Sequence, residues 1–96
     1  MATVFISEYP GGLPMGSQAP PEPPLAEQTV PIGGTSAQSQ AFGGGTKLIR
    51  LHVDAPCSIL IGEDPTARTS NKRLAANQTE YFNVLPGHRL AVIANP

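Results

Sequence analysis

Thr46-Lys47-Leu48-Ile49-Arg50-Leu51-His52-Val53-Asp54 is the stretch that decides the fold class of this chain. On an extended backbone Ile49, Leu51 and Val53 share one side while Arg50, His52 and Asp54 share the other. A period of two is the mark of a strand with one face in a core and one toward solvent. Beyond it, Asp54-Ala55-Pro56 reads as a turn. Cys57, Ile59 and Ile61 then form a second inward set, so the two runs read as the arms of a hairpin. Gly62 opens a polar loop that lasts to Asn71. Leu74, Tyr81 to Leu85 and Leu90 to Ile93 supply three more short strand candidates, and Pro86-Gly87 marks the last turn. Either Tyr81 or Phe82 can face the core, and a bulge there would serve both. No segment has helical spacing. The one Ala-rich piece, Leu74 to Asn77, falls short of the roughly 12 residues a helix needs without tertiary support.

The front half differs in kind. Residues 10–31 hold seven of the eleven prolines, and residues 1–45 carry Glu8, Glu22 and Glu27 with no Lys or Arg. Residues 3–8 are a short β-prone run that Tyr9-Pro10-Gly11-Gly12 terminates, and it reads as an edge or donated strand. From Pro10 to Pro24 the prolines favour polyproline II, a span of about 45 Å at ~3.1 Å per residue. Residues 27–32 read as another strand, confined to a sheet edge by Pro31. The expected organisation is therefore an extended arm over 1–32, a Gly-rich connector over 33–45, and a β body over 46–96 with a contribution from 27–32.

Composition excludes several classes. Ninety-six residues make one domain at most, and the net charge of -1 is too small to argue for nucleic acid. Arg68, Lys72 and Arg73 lie in or beside the polar loop with no aromatic platform for stacking bases, so they read as a solvated loop or a patch for an acidic partner rather than a nucleic-acid site. No apolar run reaches the roughly 18 residues that span a bilayer, and the start lacks the pattern of a signal peptide. The single Cys57 cannot make an internal disulfide and reads as a buried small hydrophobe of a protein made in a reducing cytoplasm.

The chemistry-bearing motifs are weak. Gly43-Gly44-Gly45-Thr46-Lys47 has the wrong order for a phosphate loop and precedes a strand rather than a helix. Phe42 to Leu48 resembles the last-strand motif of antibody light-chain variable domains, but a Cys pair, a Trp and a C-terminal position are all missing. His52 and His88, even with Glu80 or Asp54, show no ligand spacing, and no serine sits in a nucleophile elbow. The expectation is a chain without catalytic, metal or cofactor sites.

Phe5-Ile6-Ser7-Glu8-Tyr9, the Pro-rich connector, Leu74-Ala75-Ala76-Asn77-Gln78-Thr79-Glu80-Tyr81-Phe82, Val84-Leu85-Pro86-Gly87 and Leu90-Ala91-Val92-Ile93 together resemble small virion proteins of tailed bacteriophages. The resemblance covers about half of the chain and rests on packing and turn patterns. It implies a small β-sandwich or jelly-roll-like capsid decoration (cement) protein on the exterior of the head shell, present in the host cytoplasm during assembly. It also implies binding to the major capsid protein, and a homo-oligomer, dimer or trimer, is expected. The expected contacts are Val4, Phe5, Ile6, Tyr9, Pro20, Pro21, Pro23, Pro24 and Leu25 in the arm, with Arg68, Lys72 and Arg73 on the body. In that picture Val4, Phe5 and Ile6 add as a strand to a partner's sheet edge, and deleting residues 1–25 leaves a foldable body. The alternative is a receptor- or glycan-binding module, or fibre-base component, of a virion appendage. It would use the loop Gly62 to Asn71 and the turn around His88.

Overall fold

The computed structural model describes residues 2–11 and 22–96. The chain is all-β: β1 (Thr3–Tyr9), β2 (Ala26–Pro31), β3 (Ala37–Gln38), β4 (Leu48–Val53), β5 (Cys57–Gly62), β6 (Lys72–Leu74), β7 (Gln78–Asn83) and β8 (Arg89–Ala94). They form two four-stranded sheets, one in the order β2-β1-β4-β7 and the other in the order β3-β8-β5-β6. Every neighbouring pair is antiparallel.

One apolar cluster holds the two sheets together. The first sheet contributes Val4, Ile6, Val30, Ile49, Leu51 and Val53, and the second contributes Cys57, Ile59, Leu74, Leu90 and Val92. The alternation read in β4 is the one observed, with Ile49, Leu51 and Val53 fully buried. Cys57 and Ile59 are likewise buried and Ile61 packs against the same cluster. Phe82 packs on this core, whereas Tyr81 is exposed, which resolves the ambiguity in β7. The β4–β7 register runs from Leu48↔Asn83 to Val53↔Gln78 without a bulge.

The expected hairpin of β4 and β5 does not form. β4 lies between β1 and β7, and β5 lies between β8 and β6 in the opposite sheet. Asp54 and the start of β1 bind each other instead. Asp54 N donates to Thr3 O at 3.3 Å, and Thr3 N donates to Asp54 Oδ1 at 2.6 Å. The β1–β4 ladder thus continues through the corner, and Ala55-Pro56 carries the chain across the core to the second sheet. Alternation specifies which side of a strand faces inward but not which strand lies beside it.

β1 is neither an edge strand nor part of a separate arm. It stands between β2 and β4, paired over Val4↔Val30 to Glu8↔Ala26 on one side and Val4↔Val53 to Tyr9↔Leu48 on the other. Its Val4 and Ile6 are as buried as anything in the molecule. The boundaries drawn at 32 and 46 are accordingly not followed. β1 and β2 belong to the body, and the connector 33–45 contains β3. β2 is an edge strand with Pro31 at its end, as the proline requires. The residues 12–21, which carry much of the Pro-rich reading, lie outside the described part of the chain.

Two turns depend on special backbone. Asn77, at φ 63°, closes Ala75–Gln78, a conformation that Asn tolerates better than most residues. Gly87, at φ 84°, turns the chain from β7 into β8.

Candidate protein-docking face

The two sheets treat their outer faces differently. Over β5 and β8, the loop 63–71 folds back instead of standing in solvent. Gln38 Nε2 donates to Asp64 Oδ1 at 2.8 Å and to Pro65 O at 2.7 Å. Ala67 N donates to Ser36 Oγ at 2.8 Å, and Asn95 Nδ2 reaches both Ser58 Oγ and Thr69 O. Ser58 and Ala91, on the outward side of their strands, are completely buried and Pro65 and Ala67 in the loop are buried, while Leu60 on the same side of β5 is 39% exposed. Asp64 and several backbone groups of this loop are engaged internally, while Glu63, Thr66, Arg68 and Ser70 remain exposed.

The outer face of the β2-β1-β4-β7 sheet carries two cross-strand rows that register places side by side. Thr29, Phe5, His52 and Thr79 form one; Glu27, Ser7, Arg50 and Tyr81 form the other. Phe5 is 44% exposed and Tyr81 48% exposed. Phe5 and His52 lie with ring centroids 6.4 Å apart, and His52 Nδ1 shares a 2.8 Å hydrogen bond with Thr79 Oγ1. Ser7 Oγ donates to Glu27 Oε2 at 3.4 Å. The half-buried Arg50 guanidinium has no acid or acceptor partner among the described residues. A hollow of about 390 Å³ along β1 and β2 is lined by Phe5, Ile6, Ser7, Glu27, Gln28 and Thr29. Exposed aromatic rings around an uncompensated arginine are the residue types that concentrate binding energy in protein interfaces.

At the end of the same sheet the chain is locked down. Glu8 is buried, and its carboxylate accepts from Thr46 Oγ1 at 2.7 Å, Gly43 N at 3.1 Å and Gln28 Nε2 at 3.2 Å. Gly43 acts through its backbone N–H, and a Cβ there would meet only ordinary van der Waals contacts, 3.6 Å from Thr46 Oγ1 and 3.9 Å from Glu8 Oε1. Gln28 and Gln40 exchange side-chain to backbone hydrogen bonds across the mouth of a 400 Å³ groove. The Gly-rich run therefore serves the carboxylate of β1, a role the sequence reading did not assign to it.

The expected contact residues divide sharply. Val4, Ile6 and Tyr9 are buried within the fold rather than displayed on its surface, and the Tyr9 hydroxyl donates to Glu22 Oε2 at 2.7 Å. Phe5, Pro23 and Leu25 are exposed and Pro24 is half-buried. Pro20 and Pro21 lie outside the described residues. Arg68, Lys72 and Arg73 are all exposed, but Lys72 and Arg73 are successive strand residues and point to opposite sides. Lys72 Nζ sits 5.2 Å from the Phe82 ring centroid, across the gap between the two sheets, while Arg73 Nε donates to Asn95 O. They do not form one patch. Arg50, His52 and Tyr81 of this exposed face are not among the contact residues expected from the sequence. Their signal, the polar side of an alternating strand, was visible, but only the order of strands shows that those sides add up to one surface.

Among the described residues no three His, Cys, Asp or Glu side chains come together. Burial pushes the Cys57 thiol up to about 11, with nearby Arg73 pulling the other way. No protein-family model, curated protein or solved structure matches this chain.

Proposed function

We propose that this chain is a virion structural protein of a tailed phage, a decoration protein that binds the major capsid protein on the outside of the head shell and cements neighbouring subunits. The observation that carries this reading is the asymmetry of the two outer faces. One is partly covered by the chain's own loop, with Leu60 still exposed on it, and the other presents Phe5, Tyr81 and Arg50, which has no acid partner among the described residues, side by side on one sheet. The docking element is then this face, not a flexible arm of Val4 and Ile6, with Leu25 and Pro23 at its margin.

The connectivity supports a jelly-roll reading of the fold. The orders β2-β1-β4-β7 and β3-β8-β5-β6 follow the double Greek-key wrapping of that architecture, which recurs in viral capsid proteins. In this chain the first strand occupies the position that a jelly roll's closing strand takes. Fold alone does not specify function, so the weight rests on the exposed face and on the sequence resemblance.

The test is co-sedimentation with shells assembled from the major capsid protein encoded alongside this chain. Wild-type protein should pellet at a fixed ratio to the shell subunits. Phe5→Ala and Tyr81→Ala should each weaken binding by about tenfold or more, the loss expected for a residue at an interface centre. Failure of the wild-type protein to pellet at micromolar concentration would sink the proposal.

A further inference from the structure

β1 is the first strand of the chain, yet it fills the middle of its sheet. Residues 10–25, sixteen in all, separate it from β2, its antiparallel neighbour. Neighbouring antiparallel strands ordinarily need a loop of about 2–5 residues. Six of these sixteen residues are prolines, Pro10, Pro14, Pro20, Pro21, Pro23 and Pro24. Because Glu22 and Leu25 keep their contacts with whichever β1 fills the slot, the free connection is residues 10–21, and a chain of twelve residues spans at most about 40 Å at ~3.3 Å per residue. The longest dimension of the molecule is 38 Å. The connection is thus long enough to deliver β1 to another molecule while remaining joined to its own β2.

We infer that β1 exchanges between copies, the slot between β2 and β4 of one chain receiving β1 from a second copy. The contacts would be identical in kind. Val4 and Ile6 would enter the same core and meet the same two strands, Leu25 N would still donate to a Glu8 carbonyl, and a Tyr9 hydroxyl would still meet a Glu22 carboxylate. All of these join β1 to residues beyond 21, so each is remade across chains and none is lost. Exchanging an identical element between protomers is a low-cost route to a dimer for this reason. Molecules held side by side would exchange most readily, since fixed neighbours supply a high effective concentration. The inference rests on topology alone and stands whether or not the partner is a phage shell.

The experiment uses two full-length copies of different size, both carrying Cys57→Ala. One bears Val4→Cys and the other Val53→Cys, which face each other in the β1–β4 register and are both fully buried. Face-to-face docking cannot bring these positions together. After refolding together at high concentration and oxidation, exchange gives a disulfide-linked heterodimer. A single chain with both substitutions, oxidised at low concentration, closes on itself and is locked as a monomer. Light scattering on the unmodified protein provides the second readout. Exchange predicts a dimer after concentrated refolding that persists on dilution. No heterodimer, together with a monomer at every refolding concentration, would overturn the inference.

Discussion

Glu8 shows how one side chain ties distant parts of this chain together. It sits on the inward side of β1 but at the end of the core, where its carboxylate gathers Thr46, Gly43 and Gln28. Removing it leaves those donors without an acceptor, and hydrogen bonds to a charged group contribute more than neutral ones. Glu8→Ala should therefore lower stability by about 2–3 kcal/mol, measured as a shift in the urea midpoint. Cys57 and Tyr9 make a prediction about pH. Burial raises the Cys57 thiol from 9.0 to about 11, and burial together with Glu22 raises the Tyr9 phenol above 10.0. In both cases the folded protein keeps a proton that the unfolded chain has already released. The Cys57 contribution is thus fully present below pH 9.0 and is lost as pH rises to about 11, and the Tyr9 contribution is fully present below pH 10.0 and is lost above it. Melting temperature should be flat from neutral pH to about 9 and then fall. Cys57→Ala should remove the part of the fall between 9.0 and 11 and leave the Tyr9 part. A melting curve that improves above pH 9 would contradict the assignment.

The first strand gives the sharpest contrast between adjacent residues. Ile6 is buried between the sheets and Phe5, one position earlier, is 44% exposed on the outer face. Ile6→Ala should cost about 2–5 kcal/mol, as a buried large-to-small change does. Phe5→Ala should change stability by less than about 1 kcal/mol while weakening partner binding. Were β1 a detached arm, neither substitution would move the urea midpoint. That strand is also where the simple reading of the front half breaks down. Thr3–Tyr9 was recognisable as β-prone, but its placement between β2 and β4 depends on residues roughly twenty and forty-five positions away. The same logic applies to β4 and β5. Both were legible as half-buried strands, and their separation into different sheets was not, because Asp54 binds Thr3 at the far end of the sequence from any local turn signal.

Across the molecule, the two chain ends approach one another. Ile32 N donates to Ala2 O at 3.0 Å, and Ala94 N donates to Gly33 O at 2.8 Å, so two successive residues bridge the start of β1 and the end of β8. A circular permutant in which a short linker joins residue 96 to residue 2, with new ends placed between 11 and 22, should keep the fold. Its amide exchange protection in β1 and β8 should match that of the parent protein. The permutant converts β1 into a strand that directly follows β8, which is the order of a conventional jelly roll. Loss of β1 protection in the permutant would show that the Pro-rich connection itself is needed to hold the strand in place. Deleting residues 1–25 should now be destructive, since it empties a central slot of the sheet rather than trimming an arm.

Composition and alternation sufficed for the all-β class, the inward faces of β4 and β5, the buried thiol and the edge position of β2. Those properties follow from which side of a short extended segment is apolar, and from a proline that cannot donate. The tertiary structure alone decided which strands are neighbours, and with that which exposed side chains share the face proposed for docking. Phe5, Arg50, His52 and Tyr81 lie on three strands that are far apart in the chain, and only their pairing makes a surface of them. The covering of the other face by residues 63–71 was equally out of reach, because a polar loop in solvent and a polar loop bonded to a sheet have the same composition. Period-two patterning acts within one strand, whereas register and sheet order are set by long-range backbone pairing and by how the whole apolar set closes on itself.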